Sequence, residues 1–200
     1  MLTVKKEGKG RIFETPVLEV LTKTNPLLHI ITYGGAIALF LYMSTTAPLS
    51  TVFLFIGGAI TWTLVEYVIH RFLFHIKPGK FQYMIHGVHH EYPRDKERLM
   101  MPPAPGILLI LFFFGLWYVF FQSYAHAFMS GFLTGYLAYT YIHYIVHAHK
   151  PVKGFRFLWT HHLKHHNPVF HDKAYGVSTP FWDYIFGTMP KKEAKPGQSA

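Results

Sequence analysis

Four apolar stretches divide the chain, Leu27–Ala47, Leu49–Ile69, Pro105–Ala125 and Ala127–Val146. Each is long enough to cross the hydrocarbon core of a bilayer, which takes about 20 residues of helix. The first and third hold no charged residue, and the second holds only Glu66, near its end. Soluble core helices of that length rarely avoid charge. Composition agrees: aromatic residues make up 18% of the chain and charged residues only 14%, against about 25% charged in an ordinary soluble domain. The predicted fold class is therefore all-α integral membrane, four transmembrane helices with a cytosolic histidine-rich helical cap.

The basic residues orient this arrangement. Five of the nineteen Lys and Arg precede Leu27, six lie between Ile69 and Pro105, and eight follow His149. The two short turns, around Thr46–Ser50 and Ser123–His126, carry none. By the positive-inside rule both termini and the middle segment face the cytoplasm. The excess of basic over acidic residues then belongs to a membrane face, and nucleic acid is not expected as a partner. One domain over 1–200 follows: a cytosolic arm (1–26), the spans (27–147) with a cytosolic segment (70–104), a cap (148–189) and a polar tail (190–200). Met1–Leu21 does not read as a signal peptide, so insertion is expected to rely on the internal segments.

Fifteen histidines are far more than ordinary usage supplies, and their positions matter more than their number. His70 and His75 close the second span. A five-residue step sets two side chains about 140° apart on an ideal helix, so this pair converges only if the helix bends or ends there. Lys77-Pro78-Gly79 supplies a stop. His86, His89 and His90 follow at steps of three and four, a spacing expected to put all three rings on one helical face. The same H-x-x-H-H pattern returns at His162, His165 and His166, and His143 and His147 sit one turn apart at the end of the fourth span. A lone interfacial histidine is more often a hydrogen-bonded structural residue, the reading taken for His29, His126, His149 and His171. Ten in groups of two, three, two and three would require four coincidences.

The absence of cysteine excludes disulfides, thiolate metal sites and cysteine nucleophiles. Imidazole suits zinc, copper, iron and nickel. Ten imidazole donors exceed the needs of one ion and match two. Glu66, one turn before His70, is placed to accept a hydrogen bond from that ring's second nitrogen, with an interfacial carboxylate as the structural alternative. Asp183 is a candidate for a similar outer role or for a helix cap. No function attaches to His161.

At this point the residues resemble a family. Glu66-Tyr-Val-Ile-His-Arg-Phe-Leu-Phe-His75, His86-Gly-Val-His-His-Glu-Tyr-Pro-Arg-Asp-Lys-Glu-Arg-Leu-Met-Met-Pro-Pro103, His143-Tyr-Ile-Val-His147 and Gly176–Thr188 are similar to the fatty acid 2-hydroxylases, within the sterol desaturase and fatty acid hydroxylase superfamily of membrane di-iron enzymes. Pro93–Pro103 is the part that discriminates within that superfamily. The resemblance runs from Leu18 to Thr188. It implies ligation of two iron ions, for which zinc can substitute in purified protein, by His70, His75, His86, His89, His90, His143, His147, His162, His165 and His166. No other catalytic side chain is implied. It further implies O2- and electron-dependent hydroxylation at carbon 2 of a fatty acyl chain, free or in a sphingolipid. The arm is too short for the cytochrome b5 domain that begins many relatives. Electrons are thus expected from a separate donor, such as cytochrome b5 or ferredoxin with its reductase. The metal ligands alone would equally suit a carotenoid or sterol hydroxylase or desaturase. A metal transporter or bis-histidine haem protein is the more distant alternative, since transport calls for polar ligands near the bilayer midplane.

Overall fold

A computed structural model describes residues 5, 8–151, 153–154, 156–170 and 172–190. His171 and positions 191–200 of the expected tail lie outside the described residues. Within them every regular element is helical and no strand occurs. In chain order the α-helices are α1 (Pro16–Leu21), α2 (Pro26–Met43), α3 (Pro48–Ile69), α4 (Lys80–Gln82), α5 (Val88–Glu91), α6 (Pro103–Phe121), α7 (Ala125–Ala148), α8 (Arg156–His165) and α9 (Phe181–Ile185). Two π-helical turns, His70–Phe74 and Tyr83–Gly87, are inserted after α3 and before α5.

Three of the long helices start at a proline: Pro26, Pro48 and Pro103. Proline at the first helical position loses nothing, because its missing N–H would have had no intrahelical partner. Each begins one or two residues before the expected span. Three helical stretches are long and apolar enough to cross a membrane: Pro26–Met43, Pro48–Phe74 and Lys96–Ala148. The chain is a membrane protein on this ground. The third stretch holds both α6 and α7 and reverses at Gln122, whose backbone enters the left-handed region at φ 51°. The side chains show that reversal: Phe113 meets Phe132 at 5.0 Å between ring centroids and Trp117 meets Phe128 at 5.2 Å, so α6 and α7 run antiparallel.

The most extensive contact is between α3 and α7, which run in parallel, and it is made through glycine. A Cβ on Gly131 would strike the Phe55 backbone carbonyl, and one on Gly58 would strike the backbone of Phe128 and Phe132. Without side chains at the crossing the two backbones approach closely, as small residues permit in membrane bundles. Farther along, Trp62 packs edge-on to Tyr136 at 4.9 Å. Helix α2 runs antiparallel to this pair, with Tyr33 against Tyr136 at 4.6 Å and Phe40 against Phe114 at 4.8 Å. The start of α2 and the ends of α3 and α7 therefore meet at one end of the bundle.

At that end the N-terminal arm folds over residues 91–98. Arg98, nearly buried, pairs with Glu19 and donates to the Gly10 carbonyl at 3.0 Å and to Thr22 Oγ1 at 2.7 Å. Asp95 accepts from the Gly10 N–H at 3.0 Å. Expected outcome: Gly131→Ala lowers the thermal stability of the detergent-solubilised protein by about 1–3 kcal/mol through overpacking. Gly115→Ala, where a Cβ meets nothing within 4 Å, is neutral or slightly stabilising. Equal melting temperatures for the two variants would overturn the close-approach argument.

Candidate metal centre

The ten histidines of the four boxes gather at this common end in two groups of five. His70, His75, His86, His90 and His165 form one group, and His89, His143, His147, His162 and His166 the other. Within each group one nitrogen per ring lies within 4.8 Å of all the others. The groups abut, His90 of the first stacking on His166 of the second at 4.3 Å.

Local geometry explains the partition. Successive residues of an α-helix are turned by about 100°, so positions three and four apart straddle the first. His86 and His90 face the first group, while His89 turns into the second. The other H-x-x-H-H box does the reverse, with His162 and His166 in the second group and His165 in the first. The expectation that each box would present all three rings to one place is corrected accordingly: every pair four apart shares a group, and the middle ligand crosses to the other. His70 and His75 needed a different device. The π turn His70–Phe74 widens the helix to an i→i+5 repeat and brings the two rings to 5.3 Å.

Ring nitrogens converge at spacings a metal ion can fill. Nε2 atoms lie 3.2 Å apart between His70 and His86, 2.9 Å between His86 and His90, and 2.9 Å between His75 and His165. In the second group they lie 3.0 Å apart between His89 and His143, 2.8 Å between His147 and His162, 3.1 Å between His89 and His166, and 3.2 Å between His162 and His166. Adjacent donors around an ion with metal–nitrogen bonds of about 2.1 Å at right angles stand about 3.0 Å apart. The donor set fits a metal ion in each group.

Tautomers and charge agree. The Nδ1–H groups of His70, His143 and His165 donate to the carbonyls of Tyr175 at 2.6 Å, Leu99 at 3.1 Å and Lys173 at 2.8 Å. A carbonyl can only accept, so Nε2 of each of these rings carries the lone pair. Burial, reinforced by neighbouring imidazoles, holds His86, His89, His90, His162 and His166 well below the ordinary histidine value and pushes His165 down to about 3. These six rings are neutral at pH 7 and available as ligands. The Nδ1 atoms of His89, His162 and His166 are buried without a protein partner, so the second group is less completely supported than the first.

Behind the first group lies a strap, residues 173–178, held by two buried carboxylates. Asp183 accepts from the N–H groups of Tyr175 at 2.9 Å and Gly176 at 2.8 Å, from Thr188 Oγ1 at 2.7 Å and from His161 Nε2 at 3.0 Å. Burial alone would raise the Asp183 carboxyl, but these donors outweigh it and hold it below the usual aspartate value. Glu66 accepts from the N–H groups of Val177 at 2.6 Å and Ser178 at 3.0 Å, and from the Ser178 hydroxyl. Four consecutive backbone donors are thereby fixed, which aims the Tyr175 carbonyl at His70. The direct Glu66–His70 bond expected from their spacing does not form: Glu66 reaches His70 only through the strap. His161 proves to be the buried partner of Asp183, a pairing across 22 residues that no sequence spacing announces. The other histidines stand apart: His29 bonds Thr140 Oγ1 at 3.0 Å, His126 bonds the Ser123 carbonyl at 3.1 Å, and His149 packs on Tyr144 at 6.0 Å.

Comparison with known proteins places this geometry. The fatty acid hydroxylase family model matches residues 55–188. A fatty acid 2-hydroxylase of Rattus norvegicus is 40% identical over 158 residues, covering 72% of this chain and 41% of that protein. A dihydroceramide fatty acyl 2-hydroxylase of Arabidopsis thaliana is 34% identical over 200 residues, covering 94% of this chain and 83% of its own length. Among solved structures, full-length scs7p, of which only the hydroxylase domain is visible, superimposes with a TM-score of 0.80 at 34% identity over 94% of this chain and 75% of that one. The chain thus spans less than half the length of the rat relative, and the stretch matched by the family model contains both histidine groups. On the match of the family model across two thirds of its residues and on the extent of these likenesses, the chain belongs to the fatty acid hydroxylase family.

Proposed function

We propose that the protein is a membrane di-iron monooxygenase that hydroxylates carbon 2 of fatty acyl chains, free or in a sphingolipid, with O2 and electrons from an external donor. The observation that carries this reading is the convergence of ten imidazole nitrogens into two abutting groups of five in a chain of this family. His70, His75, His86, His90 and His165 would hold one iron, and His89, His143, His147, His162 and His166 the other. When bound, the iron pair supplies the redox chemistry with dioxygen that an unactivated C–H bond requires and no side chain provides.

The chain's own residues do the rest. Backbone carbonyls fix the tautomers of His70, His143 and His165 so that Nε2 of each faces its group. Asp183 and Glu66 act one layer out, through the strap that orients His70. The carbon attacked is chosen by where the acyl head is held relative to the two groups. We read the helices as four crossings, because the run Lys96–Ala148 is 53 residues, about 80 Å of helix at 1.5 Å per residue, and more than twice a hydrocarbon core of about 30 Å. With the basic segments inside, the histidine end faces the cytoplasm, where a carrier such as cytochrome b5 or ferredoxin can dock on basic charge.

Expression in a host lacking 2-hydroxylated lipids should make 2-hydroxy fatty acids appear by mass spectrometry, and His89→Ala should abolish them. A product oxidised at another carbon or on a ring would assign a different substrate. Purified protein should contain about two metal ions per chain by elemental analysis, the number two groups of five donors can hold. An ion count near zero after purification in iron-supplemented, chelator-free buffer would count against the centre.

For Asp183→Asn, one amide oxygen replaces two carboxylate oxygens against four donors, so stability should fall by at least about 2 kcal/mol and metal content should drop. The sign with pH follows from a carboxyl lowered in the folded state: its contribution is full above the unfolded value near 4 and is lost as pH falls through the lower folded value. The melting-temperature gap between wild type and Asp183→Asn, measured on metal-free protein, should be constant above about pH 5 and shrink below about pH 4. A gap that widens on acidification would contradict the assignment.

A further inference from the structure

The expected cap, 148–189, ends in α9, and α9 does not lie beyond the membrane helices. Its Trp182 indole N–H donates to Thr63 Oγ1 at 2.9 Å. Just after it, Phe186 stacks on Tyr67 with ring centroids 5.2 Å apart and planes 19° from parallel. Thr63 and Tyr67 belong to α3, one of the helices long and apolar enough to span a bilayer. Thr63 precedes His70 by seven residues, about 10 Å of helix at 1.5 Å per residue. So α9 is anchored alongside the span, roughly two turns below the histidines.

One side of α9 faces the protein, with Asp183 fully buried. The other presents large exposed side chains: Phe181, Tyr184, Ile185 and the outer side of Phe186, whose inner side stacks on Tyr67, are 55%, 78%, 57% and 48% exposed. No charged side chain interrupts this face. It continues a stripe on α3, where Ile56, Ile60, Thr63 and Tyr67 follow at helical spacing, with Ile56 and Ile60 also exposed. With α3 read as a membrane crossing, Ile56 and Ile60 lie deeper in the same span and face lipid.

We propose that α9 is an interfacial membrane helix, with Phe181, Tyr184, Ile185 and Phe186 set in the acyl region of the leaflet that borders the histidine groups. The occupant of this surface is lipid rather than a protein partner, because the face is continuous with the lipid-facing stripe of α3 and its anchor point fixes its depth. Interfacial helices insert apolar faces about 5–10 Å below the headgroup boundary, and Thr63 seats α9 about 10 Å along α3 from His70. Tyrosine is well suited to such a position, with an apolar ring and a polar tip. On this assignment the bilayer presses α9 onto α3 and so seats Asp183, which in turn holds the strap behind His70. The proposal rests on α3 crossing the membrane and is independent of the hydroxylase reading.

The chain contains no cysteine, so single cysteines can be introduced without removing any. Tyr184→Cys and Ile185→Cys, both at exposed positions, would be spin-labelled in the full chain reconstituted in phospholipid nanodiscs. Collisional relaxation by oxygen, which partitions into lipid, would be compared with relaxation by a polar nickel chelate. Ile60→Cys serves as the lipid reference and Lys96→Cys as the aqueous one. A melting temperature and a size-exclusion profile matching those of wild type identify the folded variants, and Phe181→Cys replaces either one that fails to fold. Labels at 184 and 185 should match Ile60→Cys, with an oxygen-to-nickel ratio several-fold above that of Lys96→Cys. Matching the aqueous reference would overturn the proposal. So would exclusion of both relaxants, the signature of a protein partner or second copy covering α9.

Discussion

The arrangement at the histidine end depends on the glycine-lined crossing of α3 and α7. Because Gly58 and Gly131 let the two backbones touch, the helices run side by side in the same direction and finish at the same level. That common finish delivers His70 from one helix and His143 and His147 from the other to a single end of the bundle. Parallel neighbours cannot be joined by a short turn, so α6 must return the chain across the bundle between them, starting from the same end as α2. The segment joining α3 to α6 is thereby confined to the histidine end, and it carries His86, His89 and His90. Topology and ligand supply are one problem here, and the close helix contact solves both.

Packing ten imidazoles together at one end of the bundle is easiest when each ring has only one nitrogen left to offer. In the first group His70 and His165 are set this way, by carbonyls of a strap that has no regular structure of its own. Irregular backbone is cheap to aim but costly to fix, and here fixing it falls to two carboxylates that share four successive N–H donors. Without those donors Asp183 would keep only His161 and Thr188, and Glu66 only the Ser178 hydroxyl, which is why the carboxylates and the strap stand or fall together. In the second group the Leu99 carbonyl sets His143, while the Nδ1 atoms of His89, His162 and His166 are buried without a protein partner. The two groups are chemically alike in donors and unlike in how firmly those donors are set.

Much of this was legible in the sequence because two physical rulers are strict. Bilayer thickness fixes the length of an apolar run, and proline fixes where a helix can start, so the apolar stretches correspond to α2, α3, α6 and α7 within a few residues. Helical periodicity made the boxes visible as sets. It could not assign rings to groups, since His89 and His90 are neighbours in sequence yet turn 100° apart and join different groups. Nor could it foresee the π turn that unites His70 and His75, because one extra residue per turn leaves no mark in composition. Glu66 read as a partner of His70 since spacing reports only contacts on its own helix; its true donors, Val177 and Ser178, lie 111 and 112 residues away. His161 was passed over for the same reason.

The strap also ties the placement of His70 to the fold of residues 174–188. Thr188 donates its hydroxyl hydrogen to Asp183, so towards Tyr67 it is the acceptor, and the Tyr67 oxygen in turn accepts from Arg71 at 2.9 Å. The Thr188 carbonyl accepts from Ala174 at 2.9 Å, in the left-handed region at φ 60°, where a residue with a side chain stays only if its surroundings hold it. Residues 174–188 thus close a loop on α3 through hydrogen bonds whose donors and acceptors are all spoken for. Loss of any one link releases backbone groups from a site where water cannot replace them, so the link nearest His70 depends on the one farthest from it. Ligand geometry at the first group is in this sense a property of the whole C-terminal segment rather than of its five histidines.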